Sequence, residues 1–185
     1  MWSDDRCVLS LPSFFFADPT SLPAAMGRAA GQITATAPSF LVIDLRGNTG
    51  GDFLTTLPLI NAISTARKLR DCVVLVDKFT FSAAIVFVAL LKHRLGERLT
   101  VVGEEMGDGL RFFAEGGTIT LPQSKAALRY STAFHDWETG IAASTTPPEI
   151  IEQLVAAGPI EIDQYWTADP SDLDQADKVQ DRFVR

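Results

Sequence analysis

Cysteine is scarce in this chain, positive charge is outnumbered by negative and long apolar runs are missing, and each shortage removes a class of function. The two cysteines, Cys7 and Cys72, have neither the number nor the spacing for a zinc site or a disulfide framework. Cys7 lies in an apolar run and Cys72 starts one, so buried free thiols are expected. Lys and Arg number 16 against 23 Asp and Glu, a formal net charge of −7, so a nucleic acid would have to bind against the overall field. No apolar run approaches the roughly 18 residues that a membrane span needs. Asp4 and Asp5, rather than a basic cluster, precede the apolar stretch from Cys7 to Ala17, so no secretion signal is read. There is no internal repeat, and no motif calls for a metal or a cofactor.

What is present is enough for one domain with a core: 185 residues, 46% hydrophobic and 21% charged. Cys7 to Leu11 reads as a short strand that exits into Pro12–Phe16. Ser21 to Thr36 places Leu22, Met26, Ala29, Ala30 and Ile33 at helical spacing. Three apolar runs of strand length follow: Phe40–Leu45, with Asp44 inside it, Val73–Val76, and Leu99–Val102. Helical stretches from Phe53 to Arg70 and from Ala83 to Arg94 separate them. Strands alternating with helices in this way form βαβ units, which demand parallel pairing and right-handed crossovers.

Beyond Gly103, glycines at 107, 109, 116 and 117 punctuate short extended segments, Thr118–Leu121 and Ala127–Ser131, which read as hairpins laid over the sheet. Pro147-Pro148 starts a helix expected over Glu149–Ala157. Residues 1–160 are taken as the core and 161–185 as a polar tail. In that tail Asp169, Asp172, Asp174 and Asp177 lack the glycine and closing glutamate of a calcium loop, and read as a solvated helix with an acidic first turn.

In an open parallel sheet, ligands bind at the carboxyl ends of the strands. Two loops leave such ends. One is Arg46-Gly47-Asn48-Thr49-Gly50-Gly51-Asp52; the other is Lys78-Phe79-Thr80-Phe81-Ser82-Ala83. Gly50 and Gly51 let the backbone approach a ligand and turn N–H groups toward developing negative charge, with the Ala83 N–H as a second donor. Ser82 stands where a buried strand gives way to a buried helix, a place for a nucleophile or for a plain N-cap. A phosphate cradle is the competing use of the glycine loop. Its lysine and Ser/Thr are missing, its spacing is not the dinucleotide fingerprint, and Asp52 would oppose a phosphate.

Leu41-Val42-Ile43-Asp44-Leu45-Arg46-Gly47-Asn48-Thr49-Gly50-Gly51 resembles the strand-and-glycine-loop motif of the tail-specific, or C-terminal processing, serine peptidases. In the same order, Thr80-Phe81-Ser82-Ala83 is similar to the nucleophile segment of that family and Val101-Val102-Gly103-Glu104 to its next strand. Leu121-Pro122-Gln123-Ser124 and Tyr130-Ser131-Thr132 resemble later segments of one branch. The resemblance runs from about Val8 to Pro148. It implies an α/β fold of the ClpP and crotonase type, with a parallel βαβαβ centre and a hairpin-rich C-terminal part. It further implies a protein or peptide substrate, Ser82 as nucleophile, and oxyanion donors from Gly50 or Gly51 with Ala83.

The family's general base is not matched. Where many members carry Gly-Lys-Gly this chain has Gly107-Asp108-Gly109, and where another branch places a histidine the strand reads Leu9-Ser10-Leu11-Pro12. His93 lies three helical turns from Ser82, roughly 16 Å away at the helical rise, and is assigned a helix-terminal charge role instead. His135 is a candidate substitute base and Glu138 a candidate third member, from their place relative to the supporting glutamate of that branch. No peptide-docking PDZ module is recognisable, which favours a fragment or a shortened relative whose upstream part held the base and the substrate groove. Three readings follow: a serine peptidase core, a catalytically silent ligand- or peptide-binding module like the retinoid-binding relatives of this fold, and an acyl-CoA enzyme of crotonase type.

Overall fold

The computed structural model describes residues 5–15, 18 and 20–166. Its centre is the parallel sheet that the apolar runs call for. Strands β1 (Arg6–Ser10), β2 (Phe40–Asp44), β3 (Asp71–Val76) and β4 (Leu99–Gly103) pair in chain order, and a short β9 (Gln164–Tyr165) adds a fifth parallel strand beside β4. Helices α1 (Ser21–Thr36), α2 (Leu57–Thr65) and α3 (Ala83–Leu95) make the crossovers. Each crossover steps to the adjacent strand in the same direction, and crossovers of one hand then put all the helices on one face.

Both faces of the sheet are apolar, which is why the strands read as continuous hydrophobic runs rather than as alternations. Leu9, Leu41, Ile43, Val74, Val76 and Val101 turn toward the helices. Phe40, Val42, Val73, Leu75 and Val102 form a second cluster on the opposite face, with Val8 and Trp166 packed against it. α3 is buried almost all round, from Ala83 to Leu91, and so acts as the central post of the helical layer. Asp44, the acid inside β2, is neutralised by its own neighbour: Arg46 donates Nε to Oδ1 at 2.9 Å and Nη2 to Oδ2 at 2.7 Å, a forked pair.

Three expectations change. The helix over 53–70 divides into a 3-10 turn, Phe53–Thr56, and α2, which ends at Thr65. Pro58 has no amide to give, so the α-helix restarts with it in the first turn. The helix over 149–157 shrinks to one turn, α4 (Pro148–Ile151), because the chain beyond it finds tertiary backbone partners: Ala157 N–H donates to Trp137 and Gly158 N–H to Glu138, both at 3.0 Å. The hairpin region is one jointed ribbon. Its root, β5 (Arg111–Ala114) against β8 (Ala133–Asp136), packs through Phe112 and Ala133 on the core. Its outer part, β6 (Gly117–Thr120) against β7 (Ala127–Tyr130), is exposed and not laid over the sheet. The tail expected to be helical lies, from residue 167 on, outside the described residues.

Cys7 and Cys72 are free and fully buried, as expected from their runs. Burial pushes the Cys7 thiol up to about 11 and the Cys72 thiol higher still. Both are therefore protonated and sheltered. The native protein should fail to react with a disulfide reagent such as Ellman's at pH 8, and both thiols should titrate once the chain is unfolded in guanidinium. Rapid reaction of either in the native state would show that its packing is wrong.

Candidate active site

Because β2, β3 and β4 run parallel, the loops that follow them leave the same edge of the sheet. Polar side chains then fasten the first two loops to each other. Asp77, just past β3, accepts the N–H of Gly47 from the glycine loop at 3.0 Å and the N–H groups of Phe79 and Thr80 from its own, also at 3.0 Å. Thr80 is buried and donates its hydroxyl to the Leu45 carbonyl at 3.1 Å. Phe81 N–H donates to the Asn48 carbonyl at 3.0 Å. The Asn48 side chain, with no exposed surface, donates to the Leu11 carbonyl at 2.7 Å and accepts the Gly50 N–H at 2.9 Å.

The result is that Gly50 lies directly on the Ser82 turn. A Cβ added at Gly50 would stand 2.8 Å from Ser82 Cβ, 2.9 Å from the Phe81 oxygen and 3.1 Å from the Ala83 nitrogen. Gly51 is as tightly held on its other side: an added Cβ would lie 2.0 Å from the Phe14 carbonyl carbon and oxygen. Here the positions need glycine for closeness, and both have φ above +100°. The Gly50 carbonyl accepts from Phe14 N–H at 2.9 Å. Since a trans peptide points its N–H opposite to its C=O, the Gly51 N–H is turned away from Phe14. Among the described residues it donates to no protein acceptor, and neither does the Ala83 N–H. The Gly50 N–H, by contrast, is engaged with Asn48 and is not a free donor.

Ser82 itself has φ 54° and ψ −122°, a region that a side chain other than glycine rarely enters. Conformations of this kind cost of order 1–3 kcal/mol and persist where the surroundings hold them. A sharp, strained turn from strand to helix is how some hydrolases expose a serine hydroxyl. The plain N-cap role fails here: Ser82 makes no side-chain cap bond to α3, and its half-buried hydroxyl has no hydrogen-bond partner among the described residues.

The other candidates are elsewhere engaged. His135 is 2% exposed, stacked on Phe112, with Nε2 2.8 Å from Glu115 Oε2 and Nδ1 3.3 Å from the Trp137 indole nitrogen. An indole only donates, so Nδ1 accepts and Nε2 carries the proton toward Glu115. Glu138 stands on the wall of a cleft of about 700 Å³ that Ser82 does not line. Neither residue hydrogen-bonds Ser82. His93 is bonded through Nδ1 to the Ala156 carbonyl at 3.1 Å. In Gly107-Asp108-Gly109, Gly107 N–H donates to the Thr80 carbonyl at 3.0 Å, which pins this step, with its acid Asp108, beside the Ser82 loop. Asn48, Asp77 and Thr80 carry no catalytic motif and are found by the structure. Their signal was a polar residue set among glycines and apolar strand ends, where a buried polar group must have partners.

No family model and no curated protein matches the chain. Solved structures do, at low identity. A lipoprotein from Streptococcus agalactiae is 14% identical with a TM-score of 0.54 over 100% of this chain and 69% of its own. The photosystem II D1 C-terminal processing protease is 18% identical with a TM-score of 0.52, over 85% of this chain and 41% of its own. A candidate peptidase from Parabacteroides merdae is 16% identical with a TM-score of 0.55, over 99% and 63%. The chain thus has the fold of these proteins and spans between 41% and 69% of their lengths.

Two substitutions test the site's construction. Asn48→Ala leaves the Leu11 carbonyl and the Gly50 N–H without partners and should lower stability by about 2–4 kcal/mol in urea unfolding; a loss under about 0.5 kcal/mol would remove Asn48 from its central place. Ser82→Gly relieves the backbone and should raise stability by about 1 kcal/mol. Destabilisation instead would mean that the Ser82 side chain contributes more to packing than its backbone conformation costs.

Proposed function

We propose that this chain is the core of a serine peptidase of the tail-specific, C-terminal processing type, acting on protein or peptide substrates. One observation carries the reading: a serine hydroxyl with no partner among the described residues, on a strained strand-to-helix turn, beside a glycine strap that leaves the Ala83 and Gly51 amides without acceptors among those residues. The fold shared with the D1 C-terminal processing protease supports it.

In this reading Ser82 Oγ attacks the scissile carbonyl carbon and loses its proton to a general base. The carbonyl oxygen becomes an oxyanion held by the Ala83 and Gly51 N–H groups, the interaction that grows as charge develops. Collapse breaks the C–N bond, the amine leaves with the proton, and water then hydrolyses the acyl-serine. Of the two glycines named from the sequence, Gly51 serves as donor and Gly50 as the space that lets the strap approach. The base comes from outside the matched motifs. His135 stays bonded to Glu115 and Trp137, and Glu138 stays in its cleft, so neither is assigned that task. Without a base the hydroxyl is a weak nucleophile near neutrality, and reaction speeds as pH rises.

A fluorophosphonate probe should label the wild-type chain at Ser82, faster at pH 9 than at pH 7, and should leave Ser82→Ala unlabelled. Equal labelling of both proteins, or none of either at any pH, would leave the silent binding module as the reading of this fold.

A further inference from the structure

The outer half of the ribbon is a structure without a reason to be stable by itself. Gly117 pairs with Tyr130 and Ile119 with Leu128, so strand alternation puts Ile119, Leu121, Leu128 and Tyr130 on one face and Thr118, Thr120 and Arg129 on the other. The four apolar residues are between 43% and 53% exposed. An isolated two-stranded ribbon is marginal in water, and an amphipathic one leaves its apolar side to be covered. The joint is built: Gly116 has φ 106°, and a Cβ there would lie 2.1 Å from the Tyr130 oxygen, so the ribbon turns at a fixed place and projects its tip. From Gly116 to Ser131 the chain carries Lys125 and Arg129 and no acid, although the whole molecule has a net charge of −7.

The complementary surface is on the same molecule. The cleft of about 700 Å³ beyond β4 is lined by the carboxylates of Glu105, Asp108, Glu138 and Glu161, with no lysine or arginine. Between them lies an apolar floor of Met106, Leu110, Ile160 and Ile162. Its volume suits a few side chains. A ribbon whose tip is apolar and basic and a cleft whose floor is apolar and whose rim is acidic match in both respects.

We propose that the ribbon tip, 117–130, is a docking arm whose partner is the acidic cleft of a second copy of this chain. Leu121 and Leu128 enter against the apolar floor, while Lys125 at the turn meets the carboxylates of the rim and Arg129, on the opposite face, adds to the positive field that draws the arm to the cleft. Exchanged reciprocally, the contact closes a two-fold dimer; made in one direction it propagates. Rim charges act mainly on encounter and are screened by salt, so the association is strongest at low ionic strength.

Sedimentation velocity on the full chain tests this. Wild type at about 100 µM and low salt should sediment as a dimer or longer assembly, with affinity falling about tenfold or more in 0.5 M NaCl. Lys125→Glu/Arg129→Glu should be monomeric, and so should Glu105→Lys/Glu161→Lys. Mixing the two variants, or combining all four changes in one chain, should restore association. All the positions are exposed, and unreactive native thiols check that each variant is folded. A monomeric wild type, assembly indifferent to either charge reversal, or failure of the combined swap to restore it would each overturn the proposal, and the first would leave the arm to a different protein.

Discussion

One buried amide holds the candidate site together. The Asn48 side chain joins the end of the first strand, through Leu11, to the glycine loop, through Gly50, while its backbone carbonyl takes the amide that precedes Ser82. Three segments far apart in the chain meet on one residue. Each of these groups is a strong donor or acceptor that, once buried, must be paired, so the contacts are obligatory and not merely favourable. Asp77 and Thr80 repeat the device one turn outward, bonding Gly47 and Leu45. The register of the parallel sheet brings the two loops to one edge; these side chains bring Gly50 into contact with Ser82.

That rigidity has a use in what it supports. Ser82 sits in a backbone conformation that its own side chain disfavours, and such a conformation survives only if relaxing it would break something else. On one side stands α3, buried along its first nine residues, which cannot shift without opening the core. On the other stands the Gly50 strap, tied to Phe14 and Asn48. Strain at the turn, burial of the helix and the hydrogen bonds of the loop are therefore one mechanical system.

The centre of the fold was legible because it depends on patterns that tertiary contacts seldom override. The apolar runs Phe40–Leu45, Val73–Val76 and Leu99–Val102 are of strand length and alternate with helices, which calls for strands covered on both faces, and their parallel order places the glycine loop and Ser82 at one end of the sheet. What escaped the sequence were matters of partnership. A helix beginning at Pro148 looks as long as its residues permit, until the chain past Ile151 finds the carbonyls of Trp137 and Glu138. His135 looks like a free imidazole, until Glu115 and Trp137 take both of its nitrogens. Gly50 and Gly51 look interchangeable, and only the direction of one peptide plane separates the amide engaged by Asn48 from the one with no acceptor among the described residues. Hydrogen-bond choice among competing partners is decided by the folded whole.

The geometry also bears on whether the site is a catalyst or a relic. A binding pocket for an anion would need the Ala83 and Gly51 amides but would gain nothing from a strained serine; glycine at position 82 would serve the turn better and serine in a relaxed cap would serve the helix better. Here both simpler solutions are absent, and among the described residues the hydroxyl is left unpaired beside the amides at a conformational cost of order 1–3 kcal/mol. For a domain whose whole stability is of order 5–15 kcal/mol, that is a sizeable fraction. Nucleophilic attack is the chemistry that uses the strain, the free hydroxyl and the empty amides at once, and the one element it still requires, a base within hydrogen-bonding reach of Ser82, is the element that Asp108 and the strand from Arg6 to Ser10 do not supply.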